Sequence, residues 1–275
     1  MKKNLFIAAI LCGSCICANA ASMITEWTGN AGPTEGNTYE LGNADNWSNG
    51  VPARSNGQGP DVIFNNTGTI TLSGSMVDTS DGGSITVTGN SNVTVSGTRW
   101  TGNVTIGTGS SLTLGQVDFK SSDITLDGTF NLGVCGIDSG GNGARLVFGI
   151  GGIMNVNQKI WGASDFSVSG TLATTSTDLA AGEFQFVTRT LITSAGFDGG
   201  SISLGNFTAE DGGALTKASG IMEGNAADYQ GQYYLYTENG NVKVQYVVTG
   251  AVPEPATAAL SLLGLASLML RRRRA

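Results

Sequence analysis

Short runs of alternating character recur along the chain from residue 62 onward: Val62-Ile63-Phe64, Ile70-Thr71-Leu72, Ile85-Thr86-Val87, Val93-Thr94-Val95, Val104-Thr105-Ile106, Leu112-Thr113-Leu114, Ile124-Thr125-Leu126 and Phe130-Asn131-Leu132. A period of two predicts strands with one buried face. Taken in pairs, the runs begin at 62 and 70, 85 and 93, 104 and 112, 124 and 130, so the first member advances by 23, 19 and 20 residues. Leu146 with Ile153, Phe166 with Leu172 and Phe184 with Leu191 continue at steps of 22, 20 and 18, and Ile202-Ser203-Leu204 follows 18 after Phe184. A repeat of about twenty residues carrying two or three short strands is what one coil of a parallel β-helix requires, because each coil buries its apolar positions only against the next. The expected fold is therefore all-β, a parallel β-solenoid over residues 61–229, with inward Ile, Val and Leu and outward Thr. A β-sandwich is the alternative, if the same runs pair antiparallel.

The two ends of this array read as covers. Tyr233 to Thr237 and Val242 to Val247 flank Asn239-Gly240, a strong hairpin signal, which predicts a C-terminal β-hairpin over 230–250. A two-residue turn puts Tyr233, Leu235, Thr237, Val242, Val244 and Tyr246 on one face, apolar enough to pack on the last coil; the opposite face carries Tyr234, Tyr236, Lys243 and Gln245. The tyrosines are expected to pack rather than to stack on sugars. Residues 21–60 contain Trp27-Thr28-Gly29 and Asn46-Trp47-Ser48-Asn49-Gly50-Val51-Pro52, followed by Asp61-Val62-Ile63-Phe64. This opening resembles that of autotransporter-type β-helix passengers, a likeness that implies an N-terminal cap leading into the first coil. Trp100 and Trp161 are expected to be packed within the coils.

Both termini carry addresses. Lys2 and Lys3, an apolar stretch from Leu5 to Ala18, and the small-x-small site Ala18-Asn19-Ala20 predict a helical secretory signal peptide over 1–20, cut before Ala21. Cys12, Cys15 and Cys17 lie inside it, so Cys135 alone remains, and one thiol cannot close an internal disulfide. At the other end Val252-Pro253-Glu254-Pro255 precedes an apolar run from Ala256 to Leu270, then Arg271, Arg272, Arg273 and Arg274. Fifteen apolar residues make a helix of about 22 Å, short for a ~30 Å hydrocarbon core but able to cross with snorkelling arginines held on the cytoplasmic side. The three parts in this order resemble the PEP-CTERM sorting signal over 251–275. That resemblance implies signal peptidase and a membrane exosortase as partners during export, a tail cut near Pro-Glu-Pro, and delivery of the body to the cell surface or extracellular matrix.

Composition narrows the chemistry. The 275 residues include 42 Gly and no His, which excludes Ser-His-Asp and Cys-His catalysis and any His-ligated metal. Residues 21–252 keep 8 basic and 20 acidic residues, a net of −12, so nucleic acid and other polyanions are disfavoured partners. Asp118, Asp123, Asp127 and Asp138 are the densest acids. On one strand Asp123 and Asp127 would stand ~13 Å apart, beyond the ~5–9.5 Å of a glycoside-hydrolase pair. The Gly140–Arg145 stretch starts like a calcium-binding nonapeptide but places Arg145 where that motif needs an aspartate. No catalytic residue, cofactor or metal is assigned. The expected function is that of a non-enzymatic surface or matrix protein, an adhesin or a scaffold, with glycans or matrix proteins as partners. The alternative is a β-helix carbohydrate-active enzyme, a polysaccharide lyase or hydrolase.

Overall fold

Alternation in the sequence becomes alternation of burial in the computed structural model. In the segments Asp61–Phe64, Ser84–Val87, Asn103–Ile106 and Asp123–Leu126 the second and fourth residues are buried and the first and third are not. β-Branched side chains suit this half-buried pleat. The structure describes residues 24–53, 59–74, 83–137, 143–162, 166–198 and 202–251. The predicted signal helix over 1–20, the cleavage site at Ala18, Ala20 and Ala21, the sorting motif from Val252 to Pro255, the spanning helix and the cluster of Arg271, Arg272, Arg273 and Arg274 all lie outside them. No helix among the described residues is long and apolar enough to cross a membrane.

In chain order the strands are β1 (Ile24–Glu26), β2 (Thr38–Glu40), β3 (Asp61–Phe64), β4 (Gly68–Ser73), β5 (Ser84–Val87), β6 (Ser91–Trp100), β7 (Asn103–Ile106), β8 (Ser111–Phe119), β9 (Asp123–Leu126), β10 (Thr129–Ile137), β11 (Arg145–Phe148), β12 (Ile153–Val156), β13 (Ile160–Gly162), β14 (Phe166–Leu172), β15 (Thr175–Ser176), β16 (Phe184–Thr193), β17 (Phe197–Asp198), β18 (Ile202–Ala209), β19 (Thr216–Lys217), β20 (Gln232–Glu238) and β21 (Asn241–Gly250). One sheet runs β1-β3-β5-β7-β9-β11-β14-β18; the other runs β19-β20-β21-β16-β12-β10-β8-β6-β4-β2, with β13, β15 and β17 attached beside it. Through β12 the chain alternates strictly between the sheets. Each strand bonds in parallel not to its neighbour in sequence but to its counterpart one layer on. This is the pairing of a layered parallel array, not the antiparallel ladder that a β-sandwich would need.

The register aligns apolar positions into columns. One sheet stacks Val62, Ile85, Val104, Ile124, Leu146 and Val168, beside Phe64, Val87, Ile106, Leu126 and Phe148. The facing sheet stacks Ile70, Val93, Leu112, Phe130, Met154 and Ile192, beside Leu72, Val95, Leu114, Leu132 and Val156. All of these side chains are buried. Gly170 sits between Phe148 and Phe207 in its column, where a Cβ would lie 2.1 Å from the backbone carbonyl oxygen of Phe148. A further buried column, Trp100, Val117, Cys135, Ile160 and then half-buried Phe197, comes from the second halves of the long strands β6, β8 and β10. The triplet pattern does not mark it, because Gly115 and Gly133 interrupt the alternation where each strand turns the corner.

The twenty-residue rhythm fails at Phe184. Only Ile192 and Thr193 of β16 join the parallel sheet; the rest of the strand pairs antiparallel with β21 from Phe184↔Thr249 to Ile192↔Val242. Beyond β16 the parallel order resumes, with β17 on β13 and β18 on β14. Arg189 stands opposite buried Val244 on the inward face, where an unpaired charge would be costly. Its guanidinium instead donates to the carbonyls of Gly149 (2.7 Å) and Gly152 in the preceding corner and to Thr171 (3.5 Å).

Both ends are covered. Trp27, Tyr39, Trp47 and Phe64 form aromatic contacts at 5.0–6.1 Å over the first layer, edge-on except for the tilted Trp27–Phe64 pair, and Trp47 Nε1 donates to Leu41 O at 2.9 Å. The free edge of β1 is occupied: Ser48 N donates to Glu26 O, Glu26 N to Ser48 Oγ and Asn49 Nδ2 to Ile24 O. Occupied edge groups cannot template another chain. At the far end the hairpin has the predicted register, with Tyr233↔Tyr246, Leu235↔Val244 and Thr237↔Val242, and the turn residues Asn239 and Gly240 both have positive φ. Tyr233 packs on Phe207 at 4.9 Å and donates to Gly205 O.

Val104 is fully buried mid-column between Ile85 and Ile124. An unpaired carboxylate there costs several kcal/mol, comparable with the total of ~5–15 kcal/mol that holds such a protein folded. Val104→Asp is therefore expected to abolish the cooperative thermal transition followed by circular dichroism; a melting curve like that of the native chain would refute the column assignment.

Candidate functional site

Among the described residues, Asp118, Asp123 and Asp127 do not converge. Asp123, on the outward face of β9, pairs with Arg145 in the next layer (Nε–Oδ1 2.8 Å), and both are well exposed. Asp127 lies at the corner after the same strand, its carboxylate filling the space that a Cβ on Gly149 would need. Asp118 belongs to β8, in the other sheet; it is buried and accepts from Gln116 Nε2 at 3.2 Å. Asp138 lies outside the described residues. Among the described residues no group of three or more His, Cys, Asp or Glu side chains could hold a metal ion. Burial pushes the Cys135 thiol up to about 12, and the negative charge of Asp118 adds to the rise, so the sulfur stays protonated and packs as a hydrophobe.

The outward face of the thirteen-stranded sheet is ordered by its own hydrogen bonds. Thr71, Thr94, Thr113, Asn131, Asn155 and Thr193 occupy one register column. Asn131 Nδ2 donates to Thr113 Oγ1 (3.3 Å), Asn155 Nδ2 to Asn131 Oδ1 (2.9 Å) and Thr193 Oγ1 to Asn155 Oδ1 (2.7 Å). In the adjoining column Thr69, Asn92, Ser111 and Thr129 follow one another, with Ser111 Oγ donating to Asn92 Oδ1 at 2.9 Å. Neither column holds a charge, on a body whose net charge is −12. Outward threonines were legible in the triplets; the asparagine ladder was not, although Asn at the middle of Phe130-Asn131-Leu132 and Met154-Asn155-Val156 was the available signal.

The aromatics divide. Trp100 is fully buried, as expected, whereas Trp161 is 44% exposed and lies over Gly136 of the neighbouring layer. The expectation that Trp161 is packed is thus corrected: position 161 is the outward one in β13, and its ring rests on a glycine instead of entering the core. On the outward face of the hairpin Tyr234 and Tyr236 stand half-buried with nearly parallel rings, 6.0 Å apart at 14°, across from Gln245 and Lys243. Gln245 is committed to the backbone of Met222, donating to its O at 2.9 Å and accepting from its N at 2.8 Å.

The densest polar arrangement holds the C-terminal end of the body. Thr174 and Thr175 both donate, through backbone N and Oγ1, to the Glu210 carboxylate. Burial alone would raise the Glu210 pKa, but these hydrogen bonds outweigh it and bring the value down to about 2. Beside it a cleft of about 170 Å³ is lined by Thr174, Ala209, Asp211, Leu215, Gln230, Val247 and Thr249. From here the chain leaves β21 toward residues 252–275.

A family model described as the PEP-CTERM protein-sorting motif matches residues 251–274. No curated protein matches the chain, and no solved structure does. The match identifies the tail as an exosortase sorting signal, which implies export to the cell envelope or surface.

Because its folded pKa lies below the ordinary carboxylate value of 4.5, Glu210 contributes stability that is present above pH ~4.5 and is lost as the pH falls toward 2. Thermal melting of Glu210→Gln against pH is expected to show a lower midpoint than the native chain at neutral pH, and a gap that closes between pH ~4.5 and ~2. A gap that stays constant down to pH 2 would contradict the clamp.

Proposed function

We propose that this chain is a non-enzymatic, exported surface or extracellular-matrix protein whose body is a rigid parallel β-solenoid serving as an adhesin or scaffold. The observation that carries the reading is the sorting motif at 251–274, which attaches the exosortase address directly to an all-β, layered body. Signal peptidase removes the leader between Ala20 and Ala21, and exosortase acts on the tail near Pro253-Glu254-Pro255. Two features support display as the role. Regular layers keep outward side chains at a fixed repeat of ~4.8 Å, so the Thr and Asn columns form a pre-ordered, uncharged surface for glycans or matrix proteins. The separation of Asp118, Asp123 and Asp127, each with its own local role, supports display over a glycan-cleaving reading.

Export by this route makes the basic cluster the stop for the tail. Replacing Arg271, Arg272, Arg273 and Arg274 by Ser is expected to change both membrane fractionation and the C-terminal mass of the exported chain; unchanged fractionation and mass would count against it. Retention of the purified protein on immobilised mucin-type and bacterial-envelope glycans separates the two display roles. Saturable, competable retention favours an adhesin, and no retention across the panel favours a scaffold whose partners are matrix proteins.

A further inference from the structure

The sorting motif begins at residue 251, and the body holds the chain up to that residue. Thr249 is paired on both sides, with Phe184 of β16 and with Thr175 of β15. Thr249 N donates to Thr174 O at 2.9 Å, Gly250 N to Glu183 O at 3.0 Å and Ala251 N to Ser176 O at 2.9 Å. The loop 179–183 is pressed onto the strand end so closely that a Cβ on Gly250 would lie 1.8 Å from Ala180 O. That loop is folded back on itself by Ala180 N donating to Glu183 Oε2, and the partner strand is fixed through Glu210.

An enzyme that cuts a backbone amide commonly takes its substrate as an extended segment, pairing with the free N–H and C=O groups on both sides of the bond. At the end of β21 the N–H groups of Thr249, Gly250 and Ala251 are already taken. Only residues 252–255 separate Ala251 from the apolar run that starts at Ala256, and five residue steps reach at most about 18 Å. An exosortase working near Pro-Glu-Pro at the membrane therefore meets the folded body immediately beyond the bond.

We propose that the end of β21 guards the sorting cut: residues 248–251 must detach from β15 and from the loop 179–183, or must not yet have docked there, before the enzyme engages the N-terminal side of the motif. The proposal rests on the reading of the tail as an exosortase substrate. The cut breaks one backbone amide, with water adding across it, and leaves a carboxyl group on the body and an amine on the tail. Docking of 248–251 then withdraws the new end from further cleavage.

The test locks the guard in the full exported chain. Thr175 and Thr249 face each other in parallel register, at a separation that a disulfide can span, in an oxidising compartment. Thr175→Cys combined with Thr249→Cys is expected to accumulate as uncut, membrane-associated chain while the disulfide is intact and to be cut once the disulfide is reduced, read by fractionation and C-terminal mass. A chain carrying the bond, shown by non-reducing mass, and cut at the native rate would overturn the proposal. Gly250→Val supplies the opposite perturbation: by forcing the loop off the strand end it is expected to raise the cutting rate several-fold, and an unchanged rate in a cooperatively melting variant would overturn the guard equally. A native chain that ends at Ala275 after export would instead refute the exosortase reading itself.

Discussion

Parallel pairing at constant register is the interaction on which the rest of this structure depends. A strand such as β7 satisfies its backbone groups only through β5 below and β9 above, and its inward Val104 and Ile106 find apolar neighbours only at the same positions in those strands. Slipping one layer by one residue would turn every inward side chain outward. Backbone hydrogen bonding and core packing therefore demand the same alignment. The outward Thr and Asn columns are aligned by the same register, which is why Asn131 and Asn155 reach one another at 2.9 Å.

The dependence of each layer on the next makes the ends and the faults of the stack decisive. At the start, the 47–50 segment occupies the edge of β1 and an aromatic cluster closes the core. At the finish, most of β16 leaves the parallel order while Ile192-Thr193, β17 and β18 still extend it, and the hairpin takes up the edge of β16 by antiparallel pairing. The hairpin thereby carries the C-terminal end of the body into the middle of a sheet, between β15 and β16. Covering the stack and presenting the sorting tail are consequently properties of one strand, β21.

Much of this was legible in the residues because strands of period two and a repeat of about twenty are direct consequences of the layered core. The eight triplets from Val62 to Leu132 all fall in strands at the expected register, and Asn239-Gly240 sets the hairpin. The third core column was hidden, since Trp100, Val117 and Cys135 lie past glycine corners where alternation is lost. The break at Phe184 was hidden for another reason: Phe184-Gln185-Phe186 alternates as well as any other strand, and its antiparallel partner lies far along the chain, with Phe184 opposite Thr249. The exposed placement of Trp161 depends on Gly136, which lies one layer away and 25 residues earlier. Contacts between layers are not periodic in the local sequence, so such pairs escape any reading of one strand at a time.

The central claim is the constant parallel register, and cross-strand nuclear Overhauser contacts between backbone protons test it most directly. The account predicts that residues 84–87 contact 103–106, and that 104–106 contact 124–126, with the partner number rising as the residue number rises. Contacts in which the partner number falls as the residue number rises would mean antiparallel strands, and would contradict the layered architecture together with the surface and the C-terminal guard built on it.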